Sequence, residues 1–257
     1  MPTRRTFVAG LTGLPLLALG TNYVGILQAH AEEMSMADTI MTSAGDLVIH
    51  PVDHASLVLQ WGGKVIYVDP VGGAERYAQL PEATSILITH GHGDHFDVPT
   101  LEALNSAAPL LTNQDVFDKL PEGLKARAKA ISNGESGELD GVELRAVAAH
   151  NTSADRMKYH PIGVGNGYVL TFGDKHVYIA GDTEPTEDML GLEGIDVAFL
   201  PMNLPYTMTP DQAVEAINTF KPGIIYPYHY GESDLSVLEG ALADGVELRL
   251  RNWYPNR

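Results

Sequence analysis

The chain has 257 residues, no cysteine, 44% hydrophobic residues, and 16 Lys+Arg against 33 Asp+Glu. That apolar content can fill a full-sized core in one domain and excludes disordered, collagen-like and disulfide-scaffold classes. A formal charge of −17 repels phosphate backbones and argues against a nucleic-acid partner, and the missing cysteines leave only nitrogen and oxygen to hold a metal.

In chain order, Arg4-Arg5 precede the mostly apolar run Phe7 to Leu19, and Ala29-His30-Ala31 put small residues around a cleavage point. Residues 1–31 are therefore expected to be an export signal. Thr3-Arg4-Arg5-Thr6-Phe7 resembles a twin-arginine signal, which implies the twin-arginine export machinery as a partner and a periplasmic or secreted product. Thr12, Pro15, Thr21 and Asn22 weaken the segment as a spanning helix, so no stable membrane anchor is expected after cleavage. A polar, Met-rich linker is expected over 32–45 and a single domain over 46–257, with no internal repeat.

Within that domain, short apolar runs predict strands at Leu47 to Ile49, Ser56 to Leu59, Val65 to Val68, Ile86 to Thr89, Val142 to Ala148, Tyr168 to Phe172, Val177 to Ala180, Val197 to Leu200 and Ile224 to Tyr226. Helices are expected over Thr100 to Asn105, Asp115 to Leu120 and Leu235 to Leu242. A further helix is signalled at Thr209-Pro210-Asp211-Gln212, which supplies an N-cap, a first-turn proline and a capping box, with Ala213, Val214, Ile217 and Phe220 on one apolar face. Hairpin-like strands followed by strands alternating with helices predict an α/β domain with layered sheets.

The chemistry concentrates where strands end. Ile86-Leu87-Ile88-Thr89 runs into His90-Gly91-His92-Gly93-Asp94-His95, three imidazoles and a carboxylate in six residues. The glycines let the loop fold tightly, and His and Asp are ligands for zinc-like ions. His150, Asp182 and His229 also follow apolar runs, and ligands in layered α/β folds gather beyond the carboxyl ends of strands. One metal-bearing rim is expected, built from His90, His92, Asp94, His95, His150, Asp182 and His229.

Thr89 to His95 reads Thr-His-x-His-x-Asp-His, and with His150, Asp182 and His229 in that order the chain resembles the metallo-β-lactamase-fold hydrolase superfamily. His54-Ala55-Ser56 and Val68-Asp69-Pro70 resemble the branch with ascorbate-6-phosphate lactonase and N-acyl-phosphatidylethanolamine phospholipase D. The resemblance implies a four-layer αββα sandwich with two divalent ions, zinc by default and manganese or iron as alternatives. It further implies His90, His92 and His150 on one ion, Asp94, His95 and His229 on the other, and Asp182 bridging.

A water between two cations becomes a hydroxide nucleophile, so the expected activity is hydrolysis of an ester, lactone or phosphodiester bond in a small molecule. Asp94, His160, Tyr206, Tyr228 and Tyr230 are candidates to stabilise or protonate the leaving group. Asp69 is expected to orient a ligand histidine. His54 is balanced between the pocket and the core, Asn203 between a substrate contact and turn chemistry, and His50 and His176 have no assigned role. The alternatives are a β-lactam hydrolase, disfavoured by the expected Asp182 bridge, and a metal-binding or sensing protein without turnover.

Overall fold

The computed structural model describes residues 37–104 and 107–255. The expected export signal lies outside the described residues. Part of the expected linker is instead a strand: β1 (Asp38–Thr42) pairs antiparallel with β2 (Gly45–Asp53), and Ile40 is the one residue of β1 that is buried. A single inward side chain leaves too weak an alternation to read as a strand.

β3 (Ser56–Trp61) and β4 (Lys64–Val68) form a hairpin closed by Gly62 and Gly63, both at positive φ, the conformation tight hairpin turns require. β5 (Ser85–Leu87), β6 (Leu110–Thr112) and β7 (Ala128–Ala130) complete a seven-stranded sheet in sequence order. Its pairing is antiparallel from β1 to β4 and parallel from β4 to β7.

β8 (Ser136–Leu139), β9 (Val142–Ala149), β10 (Gly165–Phe172), β11 (Lys175–Ile179), β12 (Val197–Pro201), β13 (Ile224–Tyr228) and β14 (Glu247–Leu248) form the second sheet. Pairing is again antiparallel as far as β11 and parallel beyond it.

Alternation of side chains along the strands builds the layers. Leu57 and Leu59 of β3 enter a core between the sheets with Phe199 and Tyr226, while Val58 turns outward to pack with Leu101 and Val116. In the second sheet Val177 and Ile179 point inward, and Tyr178 packs outward with Ala213, Ile217 and Phe220. α1 (Val98–Ala103), α2 (Gln114–Lys119) and α3 (Glu122–Lys125) cover one sheet; α4 (Glu187–Leu190) and α5 (Pro210–Phe220) cover the other. The result is the expected αββα sandwich, and burial on both faces explains why its central strands read as continuous apolar runs.

The capping box of Thr209 and Gln212 starts α5 as expected. The expected helix over Leu235 to Leu242 shortens to a 3-10 turn, Leu235–Leu238, before Gly240 adopts positive φ. Among the described residues, no helix is long and apolar enough to cross a membrane.

Phe199 stacks on Tyr226 at 4.9 Å and meets the edges of Tyr228 and Trp253 at the centre of this core. Phe199→Ala should cost about 3–5 kcal/mol, whereas Thr209→Ala, which removes only the helix cap, should cost about 1 kcal/mol. Denaturant unfolding of the purified domain measures both.

Candidate metal centre

The histidine loop is closed at both ends by one buried carboxylate. Asp69 follows β4 with a left-handed φ of 45° and is fully buried. It accepts hydrogen bonds from Thr89 N (2.7 Å) and Thr89 Oγ1 (2.6 Å) where the loop begins, and pairs with His95 Nδ1 (2.8 Å) where it ends. Asp69 thus orients His95, as expected, and turns His95 Nε2 toward the centre. Gly181, at φ 64°, lets the second sheet come close: a Cβ there would lie 2.9 Å from Asn166 O and 3.1 Å from Thr89 Cβ.

Three groups of side chains converge, each with ligand atoms within 4.8 Å of one another: His90, His92, His160 and Asp182; His95, Asp182 and His229; and His54, Asp94 and His229. In the first group His92 Nδ1 lies 3.0 Å from His90 Nε2 and 3.2 Å from His160 Nε2. Donors around one tetrahedral zinc-like ion at its usual bond lengths sit about 3.3 Å apart, so this spacing fits a shared cation. Asp182 Oδ2 lies 3.3 Å from His160 Nε2 and 3.3 Å from His229 Nε2, and Oδ1 lies 3.3 Å from His95 Nε2. His95 Nε2, His229 Nε2 and Asp182 Oδ1 are buried without a hydrogen-bond partner. Buried polar atoms rarely go unsatisfied, and these face one another as ligands do. Asp182 belongs to both of the first two groups.

His150 is the departure. It joins none of these groups among the described residues, and His160 takes the place expected of it. The physical cause is local. The His150 backbone is tied to Thr183 and Glu184 through hydrogen bonds of 2.9–3.1 Å, and its ring faces Asn151 O at 3.1 Å. The chain then runs through a polar loop and delivers His160 to the centre instead. No apolar run precedes His160, so a search for histidines at strand ends passes it over. His160 is accordingly placed as a ligand candidate rather than a proton donor.

The tyrosines separate by burial. Tyr228 is fully buried, its hydroxyl accepts the Gly181 N–H at 2.9 Å, and burial pushes its acidity well below that of a free phenol. That corrects the expectation of a catalytic Tyr228. Tyr230 packs edge-on against Tyr254 and donates to Arg251 O at 3.3 Å. Tyr206 alone of the three lines the cavity of about 340 Å³ that opens on Asp94, Asp182 and His229. A larger depression of about 580 Å³ over β8 and β9 brings together no such group of ligands among the described residues.

His54 faces the centre rather than the core, with Nε2 3.2 Å from Asp94 Oδ2 and Nδ1 2.9 Å from Tyr254 Oη. Asn203 serves a turn: its carbonyl accepts from the Tyr206 and Thr207 amides, both at 2.9 Å. Burial alone would raise the Asp94 carboxyl, but His229 and His54 beside it outweigh that and hold it well below the usual range, ionised as a ligand must be. Burial would lower His95, but the Asp182 and Asp69 carboxylates raise it well above an ordinary histidine.

His160→Ala should therefore weaken divalent-ion binding and lower the metal content, whereas His150→Ala should leave the metal content of the folded protein unchanged; elemental analysis measures both. The Asp182 and Asp69 carboxylates that raise His95 favour its protonated form in the metal-free protein, so a metal taking His95 Nε2 must compete with a proton. Metal affinity should fall as pH drops, and titrations in buffers of different ionisation enthalpy should register the released proton.

Comparison with known proteins agrees with this geometry. A family model described as a beta-lactamase superfamily domain matches residues 48–229. A UPF0173 metal-dependent hydrolase of Thermococcus onnurineus is 36% identical over 177 residues, covering 66% of this chain and 78% of that one. The crystal structure of a candidate metal-dependent hydrolase from Parabacteroides distasonis superposes with a TM-score of 0.77 at 41% identity, covering 84% of this chain and 98% of that one. Igni18, a metallo hydrolase from Ignicoccus hospitalis, shares the fold at 22% identity with a TM-score of 0.62, over 82% of this chain and 96% of its own. The matched region begins in the second strand and ends on His229, so it encloses every side chain of the three converging groups, and the chain belongs to the beta-lactamase superfamily and to its UPF0173 family of metal-dependent hydrolases.

Proposed function

We propose that the protein is a two-metal hydrolase that cleaves an ester, lactone or phosphodiester bond of a small molecule. The observation that carries this reading is the sharing of Asp182 by two adjoining ligand groups that open on one cavity. Two divalent cations held there, zinc by default with manganese or iron as alternatives, would supply hydroxide at neutral pH and polarise the scissile oxygen.

The chain's own residues do the rest. His90, His92 and His160 hold one side of the centre, and His95, His229 and Asp94 the other, with Asp69 fixing the His95 ring. Tyr206 lines the cavity and is the candidate to give the leaving group its proton.

The test is a panel of lactones, aryl esters, bis-aryl phosphodiesters and a β-lactam assayed on metal-loaded protein, with metal counted by native mass spectrometry. Turnover of one class is expected, with a large loss in Asp182→Asn; activity within about threefold of wild type, roughly 0.7 kcal/mol of barrier, contradicts the bridge. Tyr206→Phe should slow substrates with poor leaving groups more than those with good ones. A protein that loads two ions and turns over nothing in the panel favours the binding or sensing alternative.

The reading includes export, motivated by Arg4-Arg5, the apolar run after them and Ala29-His30-Ala31. Replacing Arg4 and Arg5 together by Lys should strand unprocessed precursor in the cytoplasm. Normal delivery of processed protein rejects the twin-arginine route.

A further inference from the structure

His90, Asp182 and His229 lie within three residues of the ends of β5, β11 and β13, but His160 follows no strand so closely. It sits within a connection from His150 to Val164 that has no strand or helix, and from residue 151 to 164 only Asn151 and His160 are buried. A segment with so little apolar burial has no core of its own to fix it. Its position rests on polar contacts, and these lead to one residue outside it.

That residue is Glu184, two positions after Asp182 and fully buried. Its Oε2 accepts the backbone N–H groups of Thr152 (2.8 Å) and Ser153 (2.6 Å), and its Oε1 accepts Ser153 Oγ (2.8 Å) and Gln212 Nε2 (3.2 Å). Arg156 Nη2 lies 2.5 Å from Oε1. Arg156 in turn donates to Thr207 O (2.8 Å) and to Gln212 Oε1 (3.2 Å), whose amide belongs to the capping box of α5. The two ends of the segment close on the same neighbourhood: Asn151 Nδ2 donates to Tyr206 O (2.6 Å), Asn151 N to His160 O (2.9 Å), and His160 Nδ1 pairs with Tyr206 O (3.0 Å).

We propose that Glu184 is a positioning residue for the metal centre, which fixes the 151–160 segment on the end of β11 so that His160 reaches the same centre as Asp182. The arrangement is more than a stabilising ion pair. Taking a carboxylate and a guanidinium out of water is costly, and a well-packed apolar pair of similar volume often serves stability as well or better. What an apolar pair cannot do is accept the two amides at the start of the segment, set its direction, and keep the third imidazole in register. With Nδ1 committed to Tyr206 O, His160 has only Nε2 to turn toward Asp182 and His92.

The inference rests on the metal-binding part of the reading above and not on turnover, so its readout is zinc affinity by competition with a chromophoric chelator, alongside the melting temperature. Three proteins are compared with wild type: Glu184→Gln, the charge-free pair Glu184→Gln with Arg156→Met, and Glu184→Gln in a His160→Ala background.

Glu184→Gln should weaken zinc binding at least tenfold. The charge-free pair, which leaves no unpaired guanidinium, should recover melting temperature but not zinc affinity, and it carries the readout if the single variant fails to fold. In the His160→Ala background Glu184→Gln should cost nothing further, because the residue it positions is gone. Recovery of zinc affinity within threefold of wild type by the charge-free pair overturns the proposal, as does a full additional loss in the His160→Ala background. Wild-type protein that holds a single zinc sinks the dinuclear reading instead. The same cycle is then read on that ion, and insensitivity to both His160→Ala and Glu184→Gln overturns the positioning role as well.

Discussion

The carboxylate of Asp69 is the point from which the site is built. It leaves β4 in a left-handed conformation and has no solvent contact, so its charge must be met by donors in place. Thr89 meets it with a backbone amide and a hydroxyl, and His95 with a ring nitrogen. Because Thr89 and His95 bracket the loop, one side chain fixes both its departure from the sheet and its return, and His90, His92 and Asp94 are held on the arc between. Thr89 also spends its carbonyl on Asn113 Nδ2 and Asn166 N, which ties the loop's root to a helix cap on one side and to the second sheet on the other.

Charge balance governs the rest of the centre. Against the effect of burial, surrounding imidazoles lower Asp94 and Asp182 below ordinary carboxylates, and the Asp182 and Asp69 carboxylates raise His95 above an ordinary histidine. His90 moves the opposite way, with burial and the neighbouring His95 pushing it well below an ordinary histidine. Such opposed shifts within one cluster are what a centre shows when anionic and neutral ligands are gathered for a cation. A chain as acidic as this one can therefore still present a locally cationic cavity once its ions are bound.

Most of this was legible in the sequence because strand ends announce themselves. The runs before His90, Asp182 and His229 are apolar on both faces, and the element that follows such a run is fixed in place by the sheet. The same rule failed for His150, which also follows an apolar run but turns its ring to Asn151 O, and it was blind to His160 and Glu184, whose placement depends on contacts between segments far apart in the chain. Edge strands were missed for a related reason. β7 reads Ala-Lys-Ala and β8 Ser-Gly-Glu-Leu, with solvent on most of their side chains, and sheet edges favour such polar sequence. Tyr254, which holds His54 through its hydroxyl, lies beyond the last strand and carries no local signal.

The two sheets are built from successive halves of the chain, and the halves share one plan of four antiparallel strands continued by parallel ones. Asp69 leaves the fourth strand of the first half much as Asp182 leaves the fourth strand of the second. The ligand candidates divide the same way: His90, His92, Asp94 and His95 come from one half, and His160, Asp182 and His229 from the other. Each of the three groups draws on both halves, so a metal ion held there would act as a rivet across the interface between them. Pulling the halves apart would then have to extract the metal, and each tenfold rise in free metal above the dissociation constant would add about 1.4 kcal/mol for each ion bound to the work of unfolding. The endurance of the fold would thereby become a property of the medium around it, set by how much metal that medium supplies.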